Sequence, residues 1–223
     1  MQGLHYTVDI VMCIDATGSM APIIEKVKSN ALRFYEDLMQ VMAAKDKSIH
    51  TLRVKVIYYR DYYYDGDESM FESDFFMLPD QKDKFKEFID HIKAEGGGYE
   101  PESGLEALAL AIRSKWNHTG DKKRQIIIVW TDASTHPLEK DENSKPDNYP
   151  INMPANFDEL TDLWEGQFMS RAAKRLIIYS PDAYAWTDMA NHWDNTIQYP
   201  SKAGEGLSEI DYQTILDAIA SSV

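Results

Sequence analysis

Two apolar runs, Val8 to Ile14 (VDIVMCI) and Gln125 to Thr131 (QIIIVWT), constrain this chain more than any other feature. Each is a short run suited to a strand buried on both faces, as in a parallel sheet. Parallel strands need long crossovers, and the sequence around the two runs keeps switching between helix-like and strand-like apolar periodicity, which predicts an α/β fold. Pro22 opens a segment with Ile23, Val27, Ala31, Phe34, Leu38 and Val41 on one helical face, reading as one long helix. Leu52 to Tyr59 is a second strand and Met70 to Leu78 a third, with only ten residues between them. So short a connection allows a hairpin but no helical crossover, so the third strand is expected antiparallel to the second. Further helices are marked by Phe85, Phe88, Ile89 and Ile92, by Leu105, Leu108, Ala109, Ile112 and Trp116, and by Phe157, Leu160, Trp164 and Phe168. A strand at Leu176 to Tyr179, a short helix near Trp186 to Trp193, an edge strand at Thr196 to Tyr199 and a last helix with Ile210, Ile215 and Ile219 complete the chain.

The 223 residues, 43% hydrophobic and 12% aromatic, are enough for one sizeable core, so residues 1–223 are expected to form a single domain. With 37 acidic against 23 basic residues the net charge is -14, the wrong sign for a surface that neutralises nucleic-acid phosphates or anionic lipid. An acidic chain can instead concentrate cations or meet a basic partner, although most surface carboxylates only keep a protein soluble. The lone Cys13 sits in an apolar run and has no partner for an intramolecular disulfide. No stretch approaches the roughly 18 consecutive apolar residues of a membrane helix, and Met1 to Thr7 lacks the regions of a signal peptide. The expectation is a soluble, cytoplasmic protein.

Following strand direction through the sheet brings four loops to one end: Asp15 to Ser19, Arg60 to Ser69, the Gly-rich Glu95 to Ser103 (EGGGYEPES), and the segment beginning at Asp132. In open α/β sheets this carboxyl-end crevice is where ligands bind. The first loop, Asp15-Ala16-Thr17-Gly18-Ser19-Met20, puts a carboxylate and two hydroxyls at alternate positions after a buried strand. These are hard oxygen ligands, suited to Mg²⁺, Mn²⁺ or Ca²⁺ rather than to zinc or copper. The alternative is that Ser19 or Thr17 caps the following helix and Asp15 serves its dipole.

The strand, DATGSM, the helix, YRD at 59–61, GGGYEPES at 96–103 and TDASTH at 131–136, in that order, resemble a von Willebrand factor A domain. The resemblance covers nearly the whole chain and is closest to intracellular modules attached to atypical kinases and bacterial stress proteins. It implies a doubly wound, Rossmann-like, mostly parallel six-stranded sheet with one antiparallel strand and helices on both faces. It also implies a metal-ion-dependent adhesion site through which such domains bind another protein. The D-x-S-x-S motif of that family maps onto Asp15, Thr17 and Ser19, with a Thr at the middle position, and its later Asp maps onto Asp132. Where the intracellular group often has GGGD-x-PE, Tyr99 takes the Asp position. A neutral phenol is a poor Mg²⁺ ligand, so either Glu100 or Glu102 reaches in, water fills the gap, or the site binds weakly; Glu100 is the better candidate, since Glu102 precedes a helix and can serve its dipole.

Tyr62, Tyr63 and Tyr64 lie in a loop at the same end, where they either anchor a partner or pack into the core. Ser134 to Asn156, with Pro137, Pro146, Pro150 and Pro154, is long for a loop inside a compact domain and is a candidate specificity loop. His5, His50, His91, His118, His136 and His192 have no zinc-type spacing, and only His136 falls near the crevice. The expected function is a non-enzymatic module that engages a partner protein, through its carboxylate or a basic patch, at the metal. One rival is a Mg²⁺-dependent phosphatase-like hydrolase with Asp15 as nucleophile, although Thr17 stands where its D-x-D-x-[TV] motif needs a general acid. The other is a degenerate scaffold that binds partners without metal. Oligomeric state is not legible.

Overall fold

The computed structural model describes residues 4–120, 122–141 and 145–223. Its strands are β1 (Leu4–Asp15), β2 (Lys47–Tyr59), β3 (Met70–Glu72), β4 (Phe76–Leu78), β5 (Lys123–Trp130), β6 (Lys174–Ser180) and β7 (Thr196–Pro200). The helices are α1 (Ala21–Asn30), α2 (Phe34–Ala43), α3 (Lys82–His91), α4 (Gly104–Ile112), α5 (Phe157–Glu165), α6 (Tyr184–His192) and α7 (Tyr212–Ser222). One sheet contains every strand, in the order β3-β2-β1-β5-β6-β7, with β4 also paired to β2. β1 is parallel to β2 and β5, and β5, β6 and β7 are parallel in turn, while β3 and β4 run antiparallel to β2.

The expected third strand is present but split, which makes the sheet seven-stranded rather than six-stranded. Ser73 is the cause: its amide donates to the Val56 carbonyl while its hydroxyl, not its carbonyl, accepts from the Val56 amide. A side chain standing in for a backbone acceptor ends regular pairing, and β4 resumes against Leu52 to Val54. The expected long helix is likewise divided. The Asn30 side chain donates to the Lys26 carbonyl at 2.7 Å, and the amides of Arg33 and Phe34 reach back only three residues, to Asn30 and Ala31. The buried face nonetheless continues through Ile23, Ile24, Phe34, Leu38 and Met42. In α5 the helix stops before Gly166, leaving Phe168 outside it and 46% exposed.

The central strands alternate between two cores, as a sheet covered on both faces requires. Val8, Ile10, Met12 and Ile14 of β1 face a layer built from α1, α2, α3 and α7. Val11 and Cys13 face the layer of α4, α5 and α6. Each fully buried aliphatic side chain contributes on the order of 2 kcal/mol, so the central strands are held from both faces. Cys13 is a buried free thiol whose burial pushes its pKa up. No helix among the described residues is long and apolar enough to cross a membrane.

With β3 and β4 counted as one broken edge, strand order reverses between β1 and β5. That reversal is the switch point where the loops leaving two adjacent strands diverge and open a crevice. Asp15 ends β1, and Thr131 and Asp132 follow β5 directly.

Candidate functional site

Asp15 is fully buried and both its oxygens are engaged. Oδ1 accepts from the Thr17 amide at 3.0 Å and the Thr17 hydroxyl at 2.6 Å, and Oδ2 accepts from the Thr131 hydroxyl at 2.7 Å. Asp132, also buried, accepts from the Ser19 hydroxyl on Oδ1 at 2.9 Å and from the Gly206 amide on Oδ2 at 2.7 Å. Neither Thr17 nor Ser19 therefore caps the helix that follows, and no side-chain cap bond is made at its start. The chemical consequence is directional. Each hydroxyl gives its one proton to a carboxylate, leaving oxygen lone pairs as its remaining valence.

The third element is the Gly-rich loop, where the two glutamates separate sharply. Glu100 is exposed, and its Oε2 accepts from the Ser134 amide at 3.2 Å and hydroxyl at 3.0 Å. Glu102 is 4% exposed, and its Oε2 is buried without a hydrogen-bond partner among the described residues. Burial first, then the charges of Asp15, Asp61, Asp65 and Asp132, push Glu102 up to about 10. Asp15 is raised to about 6, chiefly by burial and opposed by its bonds to Thr17 and Thr131. Tyr99 is 95% exposed. Glu102 makes no cap bond to α4, whose N-cap Ser103 has none either.

Glycine is required where this loop passes the first one. Gly97 has φ +86, and a Cβ there would lie 2.4 Å from Thr17 Cγ2 and 2.7 Å from Glu102 Oε1. The loop thus runs close enough to lay its backbone against both Thr17 and Glu102. At Gly98, with φ +59, a Cβ would lie 2.7 Å from the Tyr64 ring.

Arg60 ties the loops together. Buried to 4% exposure, it donates from Nε to the Ala16 carbonyl at 3.3 Å, from Nη1 to Glu68 at 2.7 Å and from Nη2 to Lys93 at 3.0 Å. Three carbonyls from three segments converge on one planar fork. Asp65 adds a second tie by accepting from the Gly97 amide at 3.0 Å. Strand-like bonds complete the frame, with Glu102 N donating to Ser134 O and His136 N to Glu102 O.

All four expected loops line or brace this crevice, of about 350 Å³, among whose walls are Thr17, Ser19, Gly97, Glu102 and Asp132. Asp15, Thr17, Ser19 and Asp132 are brought together, and Glu100 lies at the rim, holding Ser134. A fifth segment was missed from the sequence. After β7 the chain places Gly204 N on the Asp132 carbonyl and Gly206 N on its side chain. At Gly206, φ is +61 and a Cβ would lie 2.1 Å from the Ser19 carbonyl. The signal was available in the Gly204-Glu205-Gly206 triplet, directly after a parallel edge strand that also ends at this face. Of the three tyrosines, Tyr62 is buried while Tyr63 and Tyr64 are 45% and 68% exposed, so the run divides between core and surface. His136 stands 3.1 Å from Asp61. His5 and residues 142–144 of the proline-rich segment lie outside the side chains and residues described.

Among the described residues no three His, Cys, Asp or Glu side chains form a ready metal cage. What is assembled is a mixed set of two hydrogen-bonded carboxylates, two hydroxyls and the unpaired Glu102 carboxyl. That set fits a hard cation. A partnerless buried carboxyl, surrounded by other carboxylates, is held at a cost that a divalent ion would relieve.

No family model matches the chain. It is 28% identical over 159 residues to the alpha-protein kinase vwkA of Dictyostelium discoideum, covering 70% of this chain and 23% of that protein. It is also 28% identical over 174 residues to a putative ariadne-like RING finger protein, R811, of Acanthamoeba polyphaga mimivirus, covering 77% of this chain and 15% of that one. The chain thus spans less than a quarter of the length of either relative. Among solved structures, the pilus adhesin SpaC of Lactobacillus rhamnosus GG superposes with a TM-score of 0.56 at 12% identity, over 96% of this chain and 30% of that one. Proximal thread matrix protein 1 of the mussel byssus superposes at 0.50 and 12% identity, over 99% and 49%. At such identity these two establish a shared α/β fold.

Proposed function

We propose that this chain is a von Willebrand factor A-type module that binds a divalent cation, Mg²⁺ by preference, and engages a protein partner through it without catalysing a reaction. The observation that carries the reading is the pairing of Thr17 with Asp15 and of Ser19 with Asp132 opposite the buried, unpaired Glu102. Thr17, Ser19 and Glu102 would hold the ion directly, with Asp15 and Asp132 fixing the hydroxyls and supplying charge. Glu102, rather than Glu100 at the rim, takes the place expected of the Gly-rich loop's ligand. When bound, the ion would offer a Lewis-acidic position to an oxygen ligand from a partner.

The kinase and RING-finger relatives are longer proteins in which a segment like this one is a part, and SpaC is an adhesin; a binding role as one module among others accords with that setting. The cytoplasm is the proposed compartment. Against a hydrolase stands the state of Asp15, which is buried and accepts from donors on both oxygens, a poor arrangement for a nucleophile.

Calorimetric titration with Mg²⁺, Mn²⁺ and Ca²⁺ tests the cation, and pull-down of a partner with and without chelator tests its use. Binding of an ion that is lost in Glu102→Gln and Thr17→Val, with the fold retained, is expected. Absence of heat with all three ions would leave the metal-free scaffold as the better reading.

A further inference from the structure

Beside the crevice, a second cluster of side chains is built around a cation of the chain's own. Glu106, in the first turn of α4, is completely buried. Its Oε1 accepts from the Tyr149 hydroxyl at 2.8 Å and pairs with the Lys140 ammonium at 3.2 Å, and its Oε2 is buried with no hydrogen-bond partner among the described residues. The Lys140 side chain is 4% exposed. Its nitrogen stands 5.0 Å from the Tyr63 ring centroid and 5.7 Å from that of Tyr149, and it donates to the Pro137 carbonyl at 2.8 Å. Two aromatic faces over a buried carboxylate are the chemistry that recognises an alkylammonium group.

The walls of this cage also pack on side chains other than Lys140. Tyr149 packs edge-on against Tyr62, and Tyr63 edge-on against His136. Glu106 is fixed on a helix. Lys140 comes from the segment after β5, outside regular structure, which also carries Tyr149 and Lys145, the latter with its nitrogen 5.1 Å from the Tyr149 ring centroid on the same wall. Tyr63, 45% exposed, leaves one wall open to solvent.

We propose that Tyr63, Tyr149 and Glu106 form an alkylammonium-binding site, filled by Lys140 in the free protein and by a lysine side chain of a basic partner segment in its place. The exchange conserves charge, because one ammonium replaces another and Glu106 is never left as an uncompensated buried carboxylate. A net charge of -14, with Asp61, Asp65 and Glu100 among the acidic residues at this end, favours approach of a basic segment over an acidic one. The site does not require a bound metal, so the proposal stands apart from the cation reading.

The test is chemical rescue in the presence of chelator. Lys140→Ala should lower the melting temperature, and methylammonium chloride should restore it beyond the effect of sodium chloride at equal ionic strength. The wild-type protein should respond to the two salts alike, and the rescue should vanish in Lys140→Ala combined with Glu106→Gln. Nα-acetyl-lysine amide should shift the NMR signals of Tyr63 and Tyr149 in Lys140→Ala, with affinity about tenfold weaker once Tyr63 is also changed to Leu. If Lys140→Ala does not fold, Lys140→Met keeps the apolar stem and permits the same titration. Equal responses to methylammonium and sodium in the vacated variant, or rescue that survives Glu106→Gln, would overturn the proposal.

Discussion

The Glu102 carboxyl is folded into a place where burial and four neighbouring carboxylates all oppose its charge, an arrangement that favours folding only while the group keeps its proton. The sign of the resulting pH dependence follows from linkage. Glu102 is raised from an ordinary 4.5 to about 10, and Asp15 from 3.8 to about 6. The folded chain therefore retains protons that the unfolded chain has already released. Stability contributed by these groups is fully present below about pH 4 and is lost as pH rises, through about 6 for Asp15 and up to about 10 for Glu102. Metal-free protein is expected to melt at lower temperature at pH 8 than at pH 5.5, as thermal scans in chelator would read, with the fall much smaller in Glu102→Gln. The same substitution should raise the melting temperature of the metal-free protein at pH 8 while abolishing the shift produced by Mg²⁺ or Mn²⁺. A variant that is less stable and still responds to the ion would contradict the role given to Glu102. Sequence reasoning ranked Glu100 above it because position in the chain does not reveal which of two carboxylates turns inward; the bonds from Glu100 to Ser134 settle that.

The loops that meet at this face are short-range objects held by long-range ties. Gly97 is a tight point between two of them, since a methyl group there meets both Thr17 and Glu102 and its φ is positive. Gly97→Ala is expected to cost about 1–3 kcal/mol from backbone conformation alone and, by pushing the two loops apart, to weaken ion binding more than an equally destabilising core substitution such as Ile128→Val. Denaturant titration and calorimetry on the two variants make that comparison. Arg60 acts on the same loops from behind. Arg60→Lys keeps the charge but cannot reach three carbonyls at once, so it should reduce ion affinity and increase hydrogen exchange at Ala16 and the Gly-rich loop. Elements were legible in the sequence where periodicity spoke for them, as in β1, β5 and the face running through α1 and α2. Their interruptions were not. Ser73 and Asn30 break a strand and a helix through side-chain bonds to the Val56 amide and the Lys26 carbonyl, and such competition depends on rotamer and neighbour rather than on residue type.

For the molecule as a whole, the strand order places the reversal between β1 and β5, and the candidate site lies where their loops part. An ion bound there connects segments far apart in the chain, from Thr17 and Ser19 through Glu102 to Asp132, so its binding energy should appear as global stability. At a concentration of one hundred times its dissociation constant, an ion that binds only the folded state adds about 2.7 kcal/mol. For a chain of this size that is a rise in melting temperature of about 5–10 °C, measurable by calorimetry and absent in Thr17→Val. Legible in the residue order alone were the α/β class, the antiparallel third strand, the helices and the convergence of four loops, because apolar periodicity and connection length act locally and limit how strands can be joined. The pairing of each hydroxyl with its carboxylate, the inward turn of Glu102, the glycines after β7 and the cage around Lys140 came from folding. They join residues far apart in the chain, Ser19 and Asp132 by 113 positions, and contacts at that separation are set by the packing of the two helical layers on the sheet, which no local pattern encodes.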